Sequence, residues 1–237
     1  MVGHSAGERQ PYASQQRKSS ERRHWLASSG ITRVGYDAGV VPPTDTSIAW
    51  SSGVWLNAPP AVASEGGDLI VTAAEASDLW RTTSYGFIHD DGHGLLRPLE
   101  VGSAVEVSFR LDYSGEFDQA GVLVRADPLH WAKAGIEFAD GAPQLGAVVT
   151  HEVSDWSVRP VPAWAGAVVT IRVSRAGDAL TVRARREDDD WQLVRLAPWP
   201  PDLEAQAGPY CCAPTRAGLR VRFTAWRVGP ADERLHE

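Results

Sequence analysis

From Ile48 onward the chain runs in short β-branched and aliphatic stretches, broken by Gly, Pro, Asp and Asn every ten residues or so, the rhythm of a sandwich or barrel. No stretch holds the ~3.6-residue period of an amphipathic helix for more than a turn or two. Strands are predicted at 68–73, 104–112, 119–125, 132–138, 144–150, 155–159, 167–174, 179–186, 191–196 and 219–228. The fold class is therefore all-β. Two packed antiparallel sheets of the jelly-roll kind bury more apolar surface than one open sheet and leave fewer edges.

Two turns carry a mechanism. Asp140-Gly141 supplies the positive φ of a tight hairpin between 132–138 and 144–150, and Gly177-Asp178 does the same before 179–186. Side chains alternate faces along a strand. Ala120, Val122 and Val124 thus form a core face with Ala134, Ile136 and Phe138, and the opposite face carries Gln119, Gly121, Leu123, Arg125, Lys133, Gly135, Glu137, Gln144, Gly146, Val148 and Thr150. If the turn sets the register, Glu137 lies beside Gln144, Gly135 beside Gly146 and Lys133 beside Val148, with Arg125 brought next to Lys133 by the 126–131 loop. Glycine inside a strand forfeits packing, at a cost of roughly 0.5–1 kcal/mol, and marks a bulge or a place where another group approaches the backbone. Three such glycines among charged neighbours read as the floor of a ligand site, against the plainer reading of a solvated sheet face.

Charge narrows the partners. The 23 Lys and Arg against 30 Asp and Glu give a net charge of -7, which argues against nucleic acid. Residues 1–46, rich in Ser, Arg, Gln and Gly, hold six basic and four acidic residues, a net of +2 that leaves the remainder near -9. They read as a disordered tail ahead of a sandwich over 47–230, with a C-terminal tail at 231–237. No apolar run reaches the roughly 18–20 residues of a membrane span, and the first residues lack the apolar core of a secretion signal. The expectation is a cytoplasmic protein with no membrane partner. Adjacent Cys211 and Cys212 are read as free, partly buried thiols.

Ten tryptophans stand out, and Trp80, Trp131 and Trp156 sit in polar contexts where a ring can stack on a sugar face. Trp55, Trp191 and Trp226 read as packing residues. The run Tyr85 to His93 places His89 and His93 with Asp90 and Asp91 at a spacing open to a divalent cation, but its glycines make it a loop, and a polar rim to the groove is the preferred reading. No metal or other cofactor is assigned. Catalysis finds little support. The acids of Glu187-Asp188-Asp189-Asp190 read as a hairpin tip, Glu137 and Asp118 are the only acids placed near the floor, and Ser154-Asp155-Trp156-Ser157 lacks a histidine base.

The strings FDQAGVLVRAD, HWAKAGIEFADG, VVTHEVSDWS and GPYCCAP, following DLWRTTSYGFIHDDGH, resemble the signature segments of the regulation-of-enolase-type family, long catalogued as a domain of unknown function. The resemblance covers roughly Trp50 to Val228. It implies a concanavalin A-like sandwich, a cytoplasmic location, a ligand on the concave sheet, and a link to regulation of a metabolic enzyme. The glucanases of that superfamily use a Glu-x-Asp-x-x-Glu-like strand that this sequence lacks. The expected function is binding of a small polar ligand, a sugar or sugar phosphate, through Gln119, Arg125, Lys133, Glu137 and Thr150, with Trp80, Tyr85, His89, Trp131 and Trp156 around it. The alternatives are an enzyme acting on a glycoside through Glu137 or Asp118, and a protein-interaction regulator.

Overall fold

The computed structural model describes residues 45–110 and 112–236. The first strands are β1 (Thr46–Ser47), β2 (Val54–Leu56), β3 (Ala61–Glu65), β4 (Asp68–Thr72), β5 (Leu79–Arg81), β6 (Ile88–Asp90), β7 (His93–Pro98), β8 (Ser103–Arg110) and β9 (Gln119–Asp127). They continue with β10 (His130–Ala139), β11 (Ala142–His151), β12 (Val153–Pro160), β13 (Val168–Ala176), β14 (Ala179–Arg186), β15 (Gln192–Pro198), β16 (Gln206–Cys212) and β17 (Arg220–Pro230).

One sheet runs β15-β14-β13-β8-β17-β4-β3, with β1 added beside β17; the other runs β12-β11-β10-β9-β16-β7-β2. All strand pairs within them are antiparallel. The two sheets stack on a shared core, to which the first gives Val105, Val107, Phe109, Ile171, Val182 and Phe223 and the second Ala120, Val122, Val124, Ala134, Ile136 and Leu145. This is the two-sheet jelly-roll sandwich that the alternation anticipates.

The two turns form as read. Asp140 and Gly141 both have positive φ, and the hairpin closes on Ala139↔Ala142. Gly177 takes positive φ between the paired Ala176 and Ala179. The register follows: Glu137 pairs with Gln144, Gly135 with Gly146 and Lys133 with Val148. The placement of Arg125 beside Lys133 is overturned. Strand β9 runs on to Asp127, so Arg125 pairs with Trp131 while Lys133 pairs with Leu123.

Several strands escape the sequence pattern, including β7 and β16, which are interior to the second sheet. Gly208 and Pro209 argue against an interior strand, and the ladder to β7 is indeed interrupted there: Ala207 pairs with Arg97 and Tyr210 with Gly94, with no pairing between. On its other side β16 keeps continuous register with β9.

The expected tail at 1–46 lies outside the described residues except for Asp45 and Thr46, and Thr46 already pairs with Val228. Residues 231–236 are anchored: Ala231 N donates to Gly102 O, and the Asp232 carboxylate bridges Arg172 and Arg183. Among the described residues no helix is long and apolar enough to cross a membrane.

Candidate functional site

The outer face of the second sheet is not bare. The segment 74–93, with the β5-β6 hairpin at its centre, folds across part of it, and Leu79 and Trp80 join Leu96, Leu123, Trp131, Val148, Tyr210 and Cys212 in a second apolar cluster. Polar clasps hold the hairpin down. Arg125 meets Asp90 through two parallel bonds of 2.6 and 2.8 Å. Arg81 N donates to Ser154 Oγ at 2.9 Å, and Ser154 in turn bonds Thr150. Asn57 Nδ2 donates to the carbonyls of Asp90 and Gly92.

Several expected ligand contacts are thereby structural. Trp131 is wholly buried in the second cluster and offers no face for stacking. Thr150 is buried in its bond to Ser154, and Arg125 is spent on Asp90. His93 uses both ring nitrogens, Nε2 accepting from Ala74 N and Nδ1 bonded to Asn57 O, so it does not join His89 as a ligand pair. His89 lies edge-on to Phe87 and 3.4 Å from Asp91. Among the described residues no cluster of three or more His, Cys, Asp or Glu has the geometry to hold a metal ion. Asp118 has no exposed surface, is clasped by Arg216 and does not line the cleft. Asp155 is paired with Arg195, and among the described residues Ser154 Oγ bonds Arg81 N and Thr150 rather than a histidine.

What the hairpin leaves open is a cleft. A well is lined by Asp78, Gln119, Lys133, Glu137 and Val148 on the floor side and by Trp80, Tyr85, Phe87, Phe117 and Trp156 around them. Tyr85 (58% exposed), Phe87 (43%), Trp156 (41%) and Phe117 (37%) are the exposed aromatic residues among the described residues, and all four line it. Three of them join through buried Trp80 in a continuous chain: Trp156 stands edge-on to Trp80, Trp80 to Tyr85, and Tyr85 stacks on Phe87 at 5.4 Å. Phe117 is held at a positive φ of 62°, a strained backbone of the kind that gathers at binding sites.

The floor has a polar centre. Lys133 Nζ sits 3.0 Å from Asp78 Oδ1 and donates to Gln119 Oε1 at 2.8 Å, while Leu79 N and Gln119 Nε2 also donate to Asp78 Oδ1. Burial pushes the Asp78 carboxyl up, but adjacent Lys133 and the bonds it receives outweigh that and hold it below the usual carboxylate range. Burial likewise pushes the Lys133 ammonium down, and the groups around it, Asp78 first with Cys212 and Glu137, together more than reverse it. Glu137 is different. Burial pushes its carboxyl from 4.5 to about 7, Lys133 opposes only in part, and Asp78 and Glu116 add to the rise. Among the described residues no hydrogen bond reaches that carboxyl.

Across the strands runs a row of register partners: Tyr210, Gly121, Gly135, Gly146 and Val158. It forms a shallow trough that continues the well and shares Gln119, Lys133, Glu137, Val148 and Trp156 with it. The glycines have a reason inside the sheet itself. A Cβ at Gly121 would run into the Ala134 carbonyl, and one at Gly135 into that of Ala120. Their presence is thus explained by close strand approach, and its by-product is a floor of bare backbone. Sequence reasoning missed Asp78, Phe87, Phe117 and Tyr210. Only the aromatic richness of the 80–89 run and the GPYCC string signalled any of them.

The family described as "Protein of unknown function (DUF1349)" matches the chain over residues 55–231. The chain is 40% identical over 190 residues to the Saccharomyces cerevisiae protein named Regulation of enolase protein 1, covering 79% of this chain and 94% of that protein. An uncharacterized protein of Emericella nidulans is 33% identical over 156 residues, 57% of this chain and 72% of that one. Among solved structures, a functionally unknown Saccharomyces cerevisiae protein superposes with a TM-score of 0.73 at 36% identity, over 78% of this chain and all of that one. A xylan beta-1,4-xylosidase from Bacillus halodurans aligns with 70% of this chain and 33% of its own, with a TM-score of 0.56 at 12% identity, a likeness of fold alone.

Proposed function

This chain belongs to the DUF1349 family, and we propose that it binds a neutral polyhydroxylated ligand, a sugar ring, in the cleft on the outer face of its second sheet. One observation carries the reading: a hydrogen-bonding floor of Asp78, Gln119, Lys133 and Glu137 lies open between exposed aromatic walls. Aromatic faces suit the C–H face of a pyranose, and the floor suits its hydroxyls. A neutral sugar is preferred to a sugar phosphate because the cations near the floor are already spoken for, Lys133 by Asp78 and Arg125 by Asp90. Of the two acids considered for glycoside hydrolysis, Glu137 or Asp118, Asp118 is paired with Arg216 and does not line the cleft, while Glu137 does. Free, buried Cys211 and Cys212 support a reducing, cytoplasmic setting.

Titration calorimetry with glucose, xylose and galactose beside their phosphate esters tests the reading. At least one neutral sugar is expected to bind, its ester no more tightly, and Trp156→Ala is expected to weaken binding about tenfold with little change in melting temperature, in line with ~1.4 kcal/mol for a lost stacking face. No binding by any neutral sugar, or binding indifferent to Trp156→Ala, would reject it.

A second reading, regulation of a metabolic enzyme, is supported by the name of the 40% identical yeast relative and by the exposed hairpin tip bearing Tyr85, Phe87 and Ile88. Co-elution of the purified chain with enolase on size exclusion tests it. Separate elution with unchanged enolase activity counts against it.

A further inference from the structure

The well carries an excess of negative charge that its own residues leave unanswered. Its charged lining residues are Asp78, Glu137 and Lys133, two carboxyls against one ammonium. Lys133 is committed to Asp78, 3.0 Å away, and also donates to Gln119. Glu137 has no such partner: it lines the well half-buried, and among the described residues no hydrogen bond reaches its carboxyl. Burial lifts that carboxyl to about 7 because Lys133, already facing Asp78, offsets only part of the cost of the charge. The floor lacks a second cation beside Glu137.

The walls point the same way. Tyr85, Phe87, Phe117 and Trp156 are exposed and line the well. The face of an aromatic ring carries negative potential, so rings gathered round a site attract a cation as well as the C–H face of a sugar. A hydroxyl can bond the floor but does nothing for the charge on Glu137. A protonated amine donates up to three charge-assisted hydrogen bonds and supplies the missing cation. Lys133 does not bar it, since the Lys133 charge is paired with Asp78.

We infer that the sugar preferred by this cleft carries a free amine, an amino sugar whose ammonium sits beside Glu137 among the aromatic walls while its hydroxyls bond Asp78, Gln119 and Lys133. The inference rests on the sugar-binding reading and adds a charge to it: neutral sugars bind, and their amino counterparts bind more tightly. An N-acetylated sugar, neutral at the same carbon, gains nothing from Glu137.

Calorimetric titration of the whole chain at pH 7 with glucose and galactose, beside glucosamine, galactosamine and their N-acetyl derivatives, tests it. In at least one series the free amine is expected to bind at least tenfold more tightly than the parent sugar, and the N-acetyl form no more tightly than the parent. Glu137→Gln, which keeps the shape and removes the charge, is expected to bring the ratio of amine to parent affinity close to one. Ethanolamine, an amine without a ring, is expected to show no measurable binding. If neutral sugars bind and their amines bind no better, or if the ratio survives Glu137→Gln, the ammonium site is refuted while the sugar cleft stands. Ethanolamine binding as tightly as the amino sugars would refute the amino-sugar assignment, since the ring would then contribute nothing. If no sugar binds, charged or neutral, both readings fall.

Discussion

Replacing Glu137 by Gln isolates the energetic effect of setting a carboxyl on the cleft floor. Its pKa of about 7, against an ordinary 4.5, means that between those pH values the folded chain keeps a proton which the unfolded chain has released. The folded state then binds more protons than the unfolded one, so this group's contribution to stability falls as pH rises from about 4.5 and reaches its full penalty above about 7. At ~1.36 kcal/mol per pKa unit the ideal penalty is roughly 3 kcal/mol, and partial exposure of the residue makes about 1–3 kcal/mol the expected range. Glutamine has the same shape and no proton to lose. Glu137→Gln should therefore match the wild type near pH 4 and exceed it by about 1–3 kcal/mol at pH 8. Urea denaturation followed by tryptophan fluorescence at pH 4, 6 and 8 reads this directly, and the difference between variant and wild type cancels the titrating groups that do not interact with Glu137. A difference that stays flat with pH, or a wild type more stable than Glu137→Gln at pH 8, would refute the burial argument.

Other expectations follow from single contacts. Tyr113→Phe strips the Ile136 carbonyl of its buried donor and should cost about 1 kcal/mol, whereas Tyr210→Phe removes a hydroxyl with no partner among the described residues and should cost nothing measurable in the unliganded chain; equal losses in thermal melts would contradict the contrast. Gly135→Ala drives a methyl group into the Ala120 carbonyl and should destabilise by about 1–3 kcal/mol, and a neutral effect would show that the strands can separate freely there. Asp90→Asn weakens the clasp on Arg125, so amides of residues 79–90 should exchange faster with deuterium while those of β8 and β13 do not; uniform or absent change would argue that the hairpin is held by other means.

The sandwich was readable because alternation and turn chemistry agree. The Asp140-Gly141 hairpin alone set the pairing of ten residues on each strand, from Ala139↔Ala142 to His130↔His151. It correctly put Gln119, Lys133 and Glu137 on one face. What alternation cannot show is which residues of an outward face stay open. Leu123 and Trp131 share that face, and both are wholly buried because the 74–93 segment comes to cover them. The partner of Lys133 was hidden for the same reason, since Asp78 lies 55 residues away in sequence. Arg125 belongs to the face as read, yet Asp90 takes its charge, a pairing set by a hairpin too short to register as two strands. Strand β16 was concealed by Gly208 and Pro209, residues that ordinarily end a strand and here merely interrupt one of its two ladders. The glycine floor was noticed for a reason that proved incomplete: close packing of neighbouring strands, as well as any ligand, requires it.

Amide and indole chemical-shift mapping by NMR during titration with a neutral sugar bears on the cleft most directly. Shifts should concentrate on the Trp156 and Trp80 indoles and on the backbone of Gly135, Gly146 and Tyr210, residues that line the well and trough or, like Trp80, wall them. Saturating sugar that leaves those signals unmoved, or moves instead the distant group of Leu99, Arg175 and Gln206, would mean that the cleft is not where this protein meets its ligand.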